Sequence, residues 1–350
     1  MNLLKSVDAK SRTNIPVGVA TMNDERISLY VIDPEQNLLQ LLLSDENNWT
    51  GVGLGAPPGV GLISGIGATA DPAGTSNGYA FALGDDGNIW ANYDGNWASL
   101  GPMPNGIIAK AYAGASLGES TVNVFVFGSD GNLYCCTSYG SIPNRWNWSG
   151  IPSPFGQPVF GTIGVTGMPD VVNGGPYCLA LGQGGNIYCG PNPEWNSLDA
   201  PPGVQITEPI GATMAAAMTG ASPTGGIYPF ATAAIIDSTN NVWTFQFDPS
   251  SQQAPFRTPL LSGQGSTPVI GVGAASFEGT GCAIYVLSED NTLWMYLWTW
   301  NPLGTPSAKL VRPVGVAVNM KVACAFIADE NGGIWCNTWD QNSGSWACVA

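Results

Sequence analysis

Short apolar runs alternate with polar turns along the whole chain, and no run approaches the length of a membrane span. The clearest are Ile27 to Ile32 (ISLYVI), Tyr79 to Leu83, Val122 to Phe127 (VNVFVF), Tyr177 to Leu181, Phe230 to Ile236, Cys282 to Leu287 and Val322 to Ala328. Their length and β-branched, aromatic character predict strands that are buried on both faces. Each is followed by a polar stretch such as Gly84-Asp85-Asp86-Gly87-Asn88, where Asp86-Gly87 marks a hairpin turn. An apolar-aromatic doublet then opens a third strand. In the clearest copy a second turn, Asp94-Gly95-Asn96, leads to Trp97 on a fourth.

Aligned on that doublet, the chain repeats. The apolar members are Leu38, Ile89, Leu133, Ile187, Val242, Leu293 and Ile334, and their partners are Leu39, Trp90, Tyr134, Tyr188, Trp243, Trp294 and Trp335. A spacing of about 50 residues means repeated supersecondary units, and the chain holds seven. The first strand of each repeat is rich in small residues, as in Pro16 to Thr21 (PVGVAT) and Gly65 to Ala70 (GIGATA), which suits a crowded central axis. The fourth carries Trp49, Trp97, Trp146, Trp195 or Trp346. Four-stranded sheets that are apolar on both faces must stack on one another. The expected fold is therefore all-β, a seven-bladed β-propeller of four-stranded antiparallel blades. A single domain over residues 1–350 is expected, with residues 1–12 as a tail or an added strand.

Composition narrows the function. The net charge of -15, with only 10 Lys and Arg, repels phosphate backbones and anionic lipids, so neither nucleic acid nor membrane insertion is expected. MNLLKSVDAK lacks the apolar centre of a signal peptide, so the expectation is a cytoplasmic protein or one whose leader has been removed. There is no His. A Ser or Cys nucleophile would lack its commonest base, no CxxC supports zinc, and no cofactor or metal is expected. The carboxylates Asp85, Asp86, Asp130, Asp237, Glu289, Asp290, Asp329 and Glu330 all fall at one type of turn, where Asp bonds its own backbone. Cys135, Cys189 and Cys336 share one repeat position with Ala91, Thr244 and Met295, which points to a small buried site. Cys178 and Cys189 are expected to face each other across the hairpin closed at Gln183-Gly184, as reduced thiols.

The doublet aromatics are read as packing between sheets. More informative are the aromatics beyond the doublet. Trp294, Tyr296, Trp298 and Trp300 alternate along the sequence and are expected on one face of one strand, and the matching positions of the last repeat are Trp335, Asn337 and Trp339. Trp298, Trp300 and Trp339, with Asn337 as polar neighbour, are the candidate ligand site.

Val124 to Tyr134 (VFVFGSDGNLY) with Trp146-Asn147-Trp148-Ser149-Gly150, and Ile284 to Trp294 (IYVLSEDNTLW), resemble the repeats of bacterial and fungal β-propeller lectins. That group includes the Photorhabdus-type seven-bladed lectins, the fungal fucose-binding lectins and the tectonin-like proteins. The resemblance implies shallow sugar sites between blades, built from aromatics, amides and a few charged groups. It departs from the fucose-binding pattern because Arg12, Arg26, Arg145, Arg257 and Arg312 stand at unmatched repeat positions. Repeat two, Tyr93 to Trp97 with Leu100-Gly101-Pro102-Met103-Pro104, also looks kelch-like. The expected function is a non-catalytic lectin for neutral sugars, with glycans or a small molecule as partner. The alternatives are an enzyme acting on a largely apolar metabolite in one central pocket, and a protein-interaction propeller.

Overall fold

The computed structural model describes residues 14–22, 26–43, 48–71, 77–117, 121–139, 145–151, 159–166, 177–182, 185–190, 195–198, 200, 203–208, 212–217, 228–239, 241–247, 256–260, 269–277, 281–297, 299–318, 322–340 and 344–350. Its strands form seven sheets among the described residues, each continuous in sequence and antiparallel throughout. Sheet 1 is Ile15–Thr21, Ile27–Ile32, Leu38–Leu43 and Trp49–Gly55; sheet 2 is Leu62–Ala70, Gly78–Gly84, Ile89–Tyr93 and Asn96–Ser99. Sheet 3 is Ala109–Leu117, Thr121–Gly128, Leu133–Tyr139 and Trp146–Ile151; sheet 4 is Val159–Thr166, Tyr177–Gly182, Ile187–Gly190 and Asn196–Ser197. Sheet 5 is Ile206–Glu208, Ala212–Ala217, Tyr228–Asp237, Val242–Phe247 and Phe256–Leu260. Sheet 6 is Val269–Phe277, Gly281–Ser288, Leu293–Tyr296 and Trp300–Gly304; sheet 7 is Leu310–Val318, Ala323–Asp329, Ile334–Trp339 and Gly344–Cys348. The fifth sheet departs from four strands because two segments share one edge: Ile206 pairs with Asp237, and Ala212 with Ala233.

The first strand of each sheet, or Ala212–Ala217 in sheet 5, lies against its counterpart in the next sheet, and Leu310–Val318 returns to lie against Ile15–Thr21. This crowding explains the small residues there. A Cβ on Gly18 would stand 2.7 Å from the Ala68 backbone nitrogen, and one on Gly315 would stand 3.1 Å from Val19 Cγ2. Thr21 Oγ1 donates to the Val318 carbonyl at 2.9 Å across the junction of sheets 1 and 7. Residues 1–12, expected as a tail or an added strand, lie outside the described residues.

Between neighbouring sheets run apolar seams, named here by the two sheets that form them. Tyr30, Ile32 and Leu38 meet Leu62, Ala80 and Ala82 in seam 1/2, while Leu29, Val31 and Leu41 meet Cys324 and Phe326 in seam 7/1. Strand alternation sends successive side chains of each sheet to opposite seams.

The second and third strands of each sheet, or Tyr228–Asp237 and Val242–Phe247 in sheet 5, are joined by a tight hairpin whose loop is longer than a two-residue Asp-Gly turn. In sheet 2 the Gly84 N–H donates to the Asn88 carbonyl at 2.9 Å, and the Gly87 N–H donates to the Gly84 carbonyl at 3.0 Å. Three residues, Asp85-Asp86-Gly87, therefore close the loop, the last in the left-handed region at φ 79°. Gln36, Gly131, Gly185, Asn291 and Gly332 occupy the same place, with φ between 69° and 86°. This extra residue corrects the expectation for the cysteines. Cys178 stands opposite Gly190, and Leu179 opposite Cys189, so a one-residue shift puts the two thiols on opposite faces. Cys178 packs with Phe125 and Cys135 in seam 3/4, and Cys189 with Ile235 and Phe245 on the other side. Cys135, Cys189 and Cys336 are all buried, as are Ala91, Thr244 and Met295 at the same repeat position.

Candidate functional site

Two sets of aromatics prove structural. The doublet aromatics fold back over their own hairpins: Trp243 Nε1 donates to Asp237 Oδ2 at 2.8 Å, Trp335 Nε1 to Asp329 Oδ2 at 2.8 Å, and the Tyr134 hydroxyl to Asp130 Oδ2 at 2.7 Å. These bonds also occupy the turn carboxylates. Burial alone would raise the Asp329 carboxyl, but bonds from Trp335, Gly333 and Asn331 outweigh it and lower its pKa. Fourth-strand tryptophans tie sheets 2, 3 and 7 to the sheet before each. Trp97 Nε1 donates to the Leu54 carbonyl at 3.1 Å, Trp148 to Leu100 at 2.9 Å, and Trp346 to Leu303 at 2.9 Å.

The residues expected to form one site are divided by sheet 6. The chain does not continue as a strand through the aromatic stripe: the third strand ends at Tyr296, and Trp300 opens the fourth, directly opposite Tyr296. Their ring centroids are 5.2 Å apart, and both pack on the face of sheet 6 that looks toward sheet 5. Trp339 packs with Trp335 and Trp346 in seam 6/7, on the other face of sheet 6. Asn337 is fully buried in that seam; its Nδ2 reaches the Leu303 carbonyl at 3.5 Å, and its Oδ1 has no partner. Trp298 lies outside the described residues. The alternation in sequence failed as a guide because it spans a chain reversal, where period two no longer applies.

A richer set of polar groups occupies seam 1/2. Tyr30, Ser28 and Gln40 come from sheet 1. Gln40 Nε2 donates to Tyr30 OH at 3.1 Å and to Ser28 Oγ at 3.2 Å. Both acceptors are buried, while Gln40 is only partly so. Burial pushes the Tyr30 phenol up, with Ser28 opposing it, and the charges of Asp94 and Arg26 both act on the ring. From sheet 2 come Asn92, exposed Asp94 and half-buried Trp97. Asn92 is 1% exposed; its Oδ1 accepts from the Gly95 N–H at 3.1 Å, and its Nδ2 has no hydrogen-bond partner. An indole, two amides and two hydroxyls thus line one seam within electrostatic reach of the Arg26 guanidinium and the Asp94 carboxylate, with a buried donor still unused. Such a set can accept and donate to ligand hydroxyls and stack on an apolar sugar face.

Seam 6/7 is the matching place in the repeat. By register Tyr285 corresponds to Tyr30, Met295 to Gln40, Asn337 to Asn92 and Trp346 to Trp97, and by spacing after the doublet Trp339 corresponds to Asp94. The amide and tryptophan recur, but Met295 and Trp339 make that seam apolar. Sequence reading passed over seam 1/2, although Ser28 and Gln40 interrupt the otherwise apolar ISLYVI and LLQLLL.

Sheets packed in cyclic order by their first strands define the architecture. The fold is a β-propeller. Solved structures of that architecture superpose along nearly the whole chain. A lectin from Burkholderia pseudomallei, BP39L, is similar over 97% of this chain and 99% of its own, with 15% identity and a TM-score of 0.65. An oligogalacturonate lyase from Vibrio parahaemolyticus is similar over 93% and 91%, with 8% identity and a TM-score of 0.57. Human WBSCR16 is similar over 86% and 84%, with 9% identity and a TM-score of 0.51. No protein-family model and no curated protein matches the sequence. The propeller thus recurs in a lectin and in a lyase, so function has to be argued from side chains. Among the described residues no group of three His, Cys, Asp or Glu could hold a metal ion, and no helix is long and apolar enough to cross a membrane.

Proposed function

We propose that this chain is a non-catalytic, carbohydrate-binding protein, a single seven-bladed propeller that recognises neutral sugars in clefts between blades. The observation that carries the reading is seam 1/2, where Gln40, Asn92 and Tyr30 offer hydrogen bonds beside the Trp97 ring and the Arg26 and Asp94 charges. The lectin fold of BP39L supports it at the level of architecture. In this reading seam 6/7 is a weaker, more apolar relative, in which Trp339 supplies a stacking face beside Asn337. Trp300 belongs to the neighbouring edge of sheet 6.

A glycan array followed by calorimetry on the best neutral ligand tests this. Asp94→Asn and Gln40→Ala should each weaken binding by about 1–3 kcal/mol, with unfolding nearly unchanged for exposed Asp94 and about 1–3 kcal/mol of stability lost for Gln40, whose removal leaves Tyr30 and Ser28 without their donor; Trp339→Ala and Trp300→Ala should weaken binding less. A folded parent that binds no glycan defeats the reading. Binding that survives both the Asp94 and the Gln40 change moves the site away from seam 1/2.

A further inference from the structure

Seam 2/3 contains three buried polar atoms without a hydrogen-bond partner: the Tyr79 hydroxyl, Ser138 Oγ and Trp146 Nε1. Tyr79 is fully buried and Ser138 is 1% exposed, so bulk water does not satisfy them. Buried polar groups are almost always paired, and three unpaired ones in one seam is a concentration that packing does not require. They belong together spatially. Ser138 stands directly opposite Trp146 in the strand pair, and the Trp146 ring meets Tyr79 edge-on at 6.4 Å and Phe81 at 5.6 Å. Tyr79 packs in turn against Tyr93 at 4.7 Å, and the Tyr93 hydroxyl donates to buried Asp71 at 2.9 Å.

The chemistry of this place selects a class of guest. Two hydroxyls and an indole N–H between aromatic walls suit a neutral molecule that carries its own hydroxyls. An anion is disfavoured by the buried Asp71 carboxylate, whose charge also helps push the Tyr79 phenol up to about 12 after burial itself.

The position relative to seam 1/2 is equally informative. The third strand of sheet 2 is the wall between the two seams. Asn92 and the following Asp94 look to seam 1/2, while Tyr93 between them packs in seam 2/3. Both polar groups therefore lie at one end of sheet 2, away from the Asp85-Asp86-Gly87 hairpin. Packed sheets stand about 10 Å apart, farther than one sugar ring reaches.

We infer that the seams on either side of sheet 2 are paired subsites for one extended neutral oligosaccharide, with Tyr79, Ser138 and Trp146 forming the second subsite. This rests on the carbohydrate-binding reading above and adds to it the ligand length. Two linked contacts convert the second into an intramolecular event, so affinity should climb steeply from one sugar to three.

The probes are D-mannose with mannotriose, D-glucose with cellotriose, and D-galactose with galactotriose, titrated calorimetrically into the full chain. The parent should bind one trisaccharide at least tenfold more tightly than its monosaccharide, with one oligosaccharide per chain. Tyr79→Phe and Ser138→Ala should remove most of that gain and leave monosaccharide affinity within twofold. Both variants delete an unpaired hydroxyl, so their melting temperatures should equal or exceed that of the parent. A trisaccharide no tighter than its monosaccharide, or a gain that survives both variants, overturns the inference while leaving the lectin reading intact. A parent that binds none of the six sugars overturns both.

Discussion

Asp329 sets a hairpin and anchors a tryptophan at once, which makes its removal a sensitive probe of how the sheets are built. Its Oδ1 accepts the Asn331 and Gly333 N–H groups, each at 2.8 Å, and its Oδ2 accepts Trp335 Nε1 at 2.8 Å. In Asp329→Asn the amide oxygen can keep the backbone pair, but the NH2 then faces the indole N–H, donor against donor. Losing one charge-assisted bond and weakening two others should cost about 2–3 kcal/mol at pH 7. With an unfolding entropy of about 0.7 kcal/mol/K for a chain of this size, that is a fall of about 3–4 °C in melting temperature. The pH dependence gives a second, independent sign. Because the folded carboxyl titrates below its unfolded value, its contribution is complete above about pH 4 and is lost as pH falls through the folded pKa. The gap between parent and variant, followed by thermal or urea unfolding from pH 7 to pH 3, should therefore narrow in the acid range. Asp86, Asp130 and Asp237 also have lowered pKa values, but they are present in both proteins and cancel in the difference. A variant as stable as the parent at pH 7, or a gap that widens in acid, would refute this account of the turn.

Trp97→Phe and Trp346→Phe should each cost about 1–3 kcal/mol in denaturant unfolding, because the Leu54 and Leu303 carbonyls lose a donor inside a seam; unchanged midpoints would remove the ties between sheets from the account of stability. Cys348 is exposed, whereas Cys135, Cys136, Cys178, Cys189, Cys324 and Cys336 are buried. Burial pushes the Cys135 thiol up to about 11, so thiol reagents at pH 8 should label Cys348 in the native protein and those six only on unfolding. Rapid native labelling of any of the six, read by peptide mapping, would contradict the packing of their seams.

Much of the fold was legible because it is written in local signals. Apolar runs such as VNVFVF, turn residues such as Asp86-Gly87 and the doublets Ile89-Trp90 and Ile334-Trp335 are each a property of a few neighbouring residues. Register was not legible to the same degree. One residue more or less in a loop reverses which face a side chain occupies, and the sequence Gly182-Gln183-Gly184-Gly185-Asn186 fits either loop length. That single residue separates Cys178 from Cys189. The same limit applies to Trp300: Leu297 to Thr299 carry no Gly, Pro, Asn or Asp to announce a reversal, yet the Leu297 N–H meets the Thr299 carbonyl at 3.4 Å and the chain turns there.

The site was harder to see because it is defined by what two successive sheets bring to one seam, and no window of sequence contains both. Asn92 and Asn337 occupy the same repeat position, and each is buried with one amide atom unpaired. What separates their seams lies elsewhere: Gln40 against Met295 on the facing sheet, and Asp94 against Trp339 two residues further on. A repeat-by-repeat reading rewards the unusual aromatic, and so favours Trp339. A seam-by-seam reading instead favours positions where a polar residue replaces an apolar one on both walls, which singles out Ser28, Gln40 and Asn92. Because each sheet shows alternate residues to its two neighbours, one strand can serve two seams, and Asn92-Tyr93-Asp94 does so. A substitution at Tyr93 should therefore be felt in seam 2/3 and one at Asn92 in seam 1/2, although the two residues are adjacent in the chain.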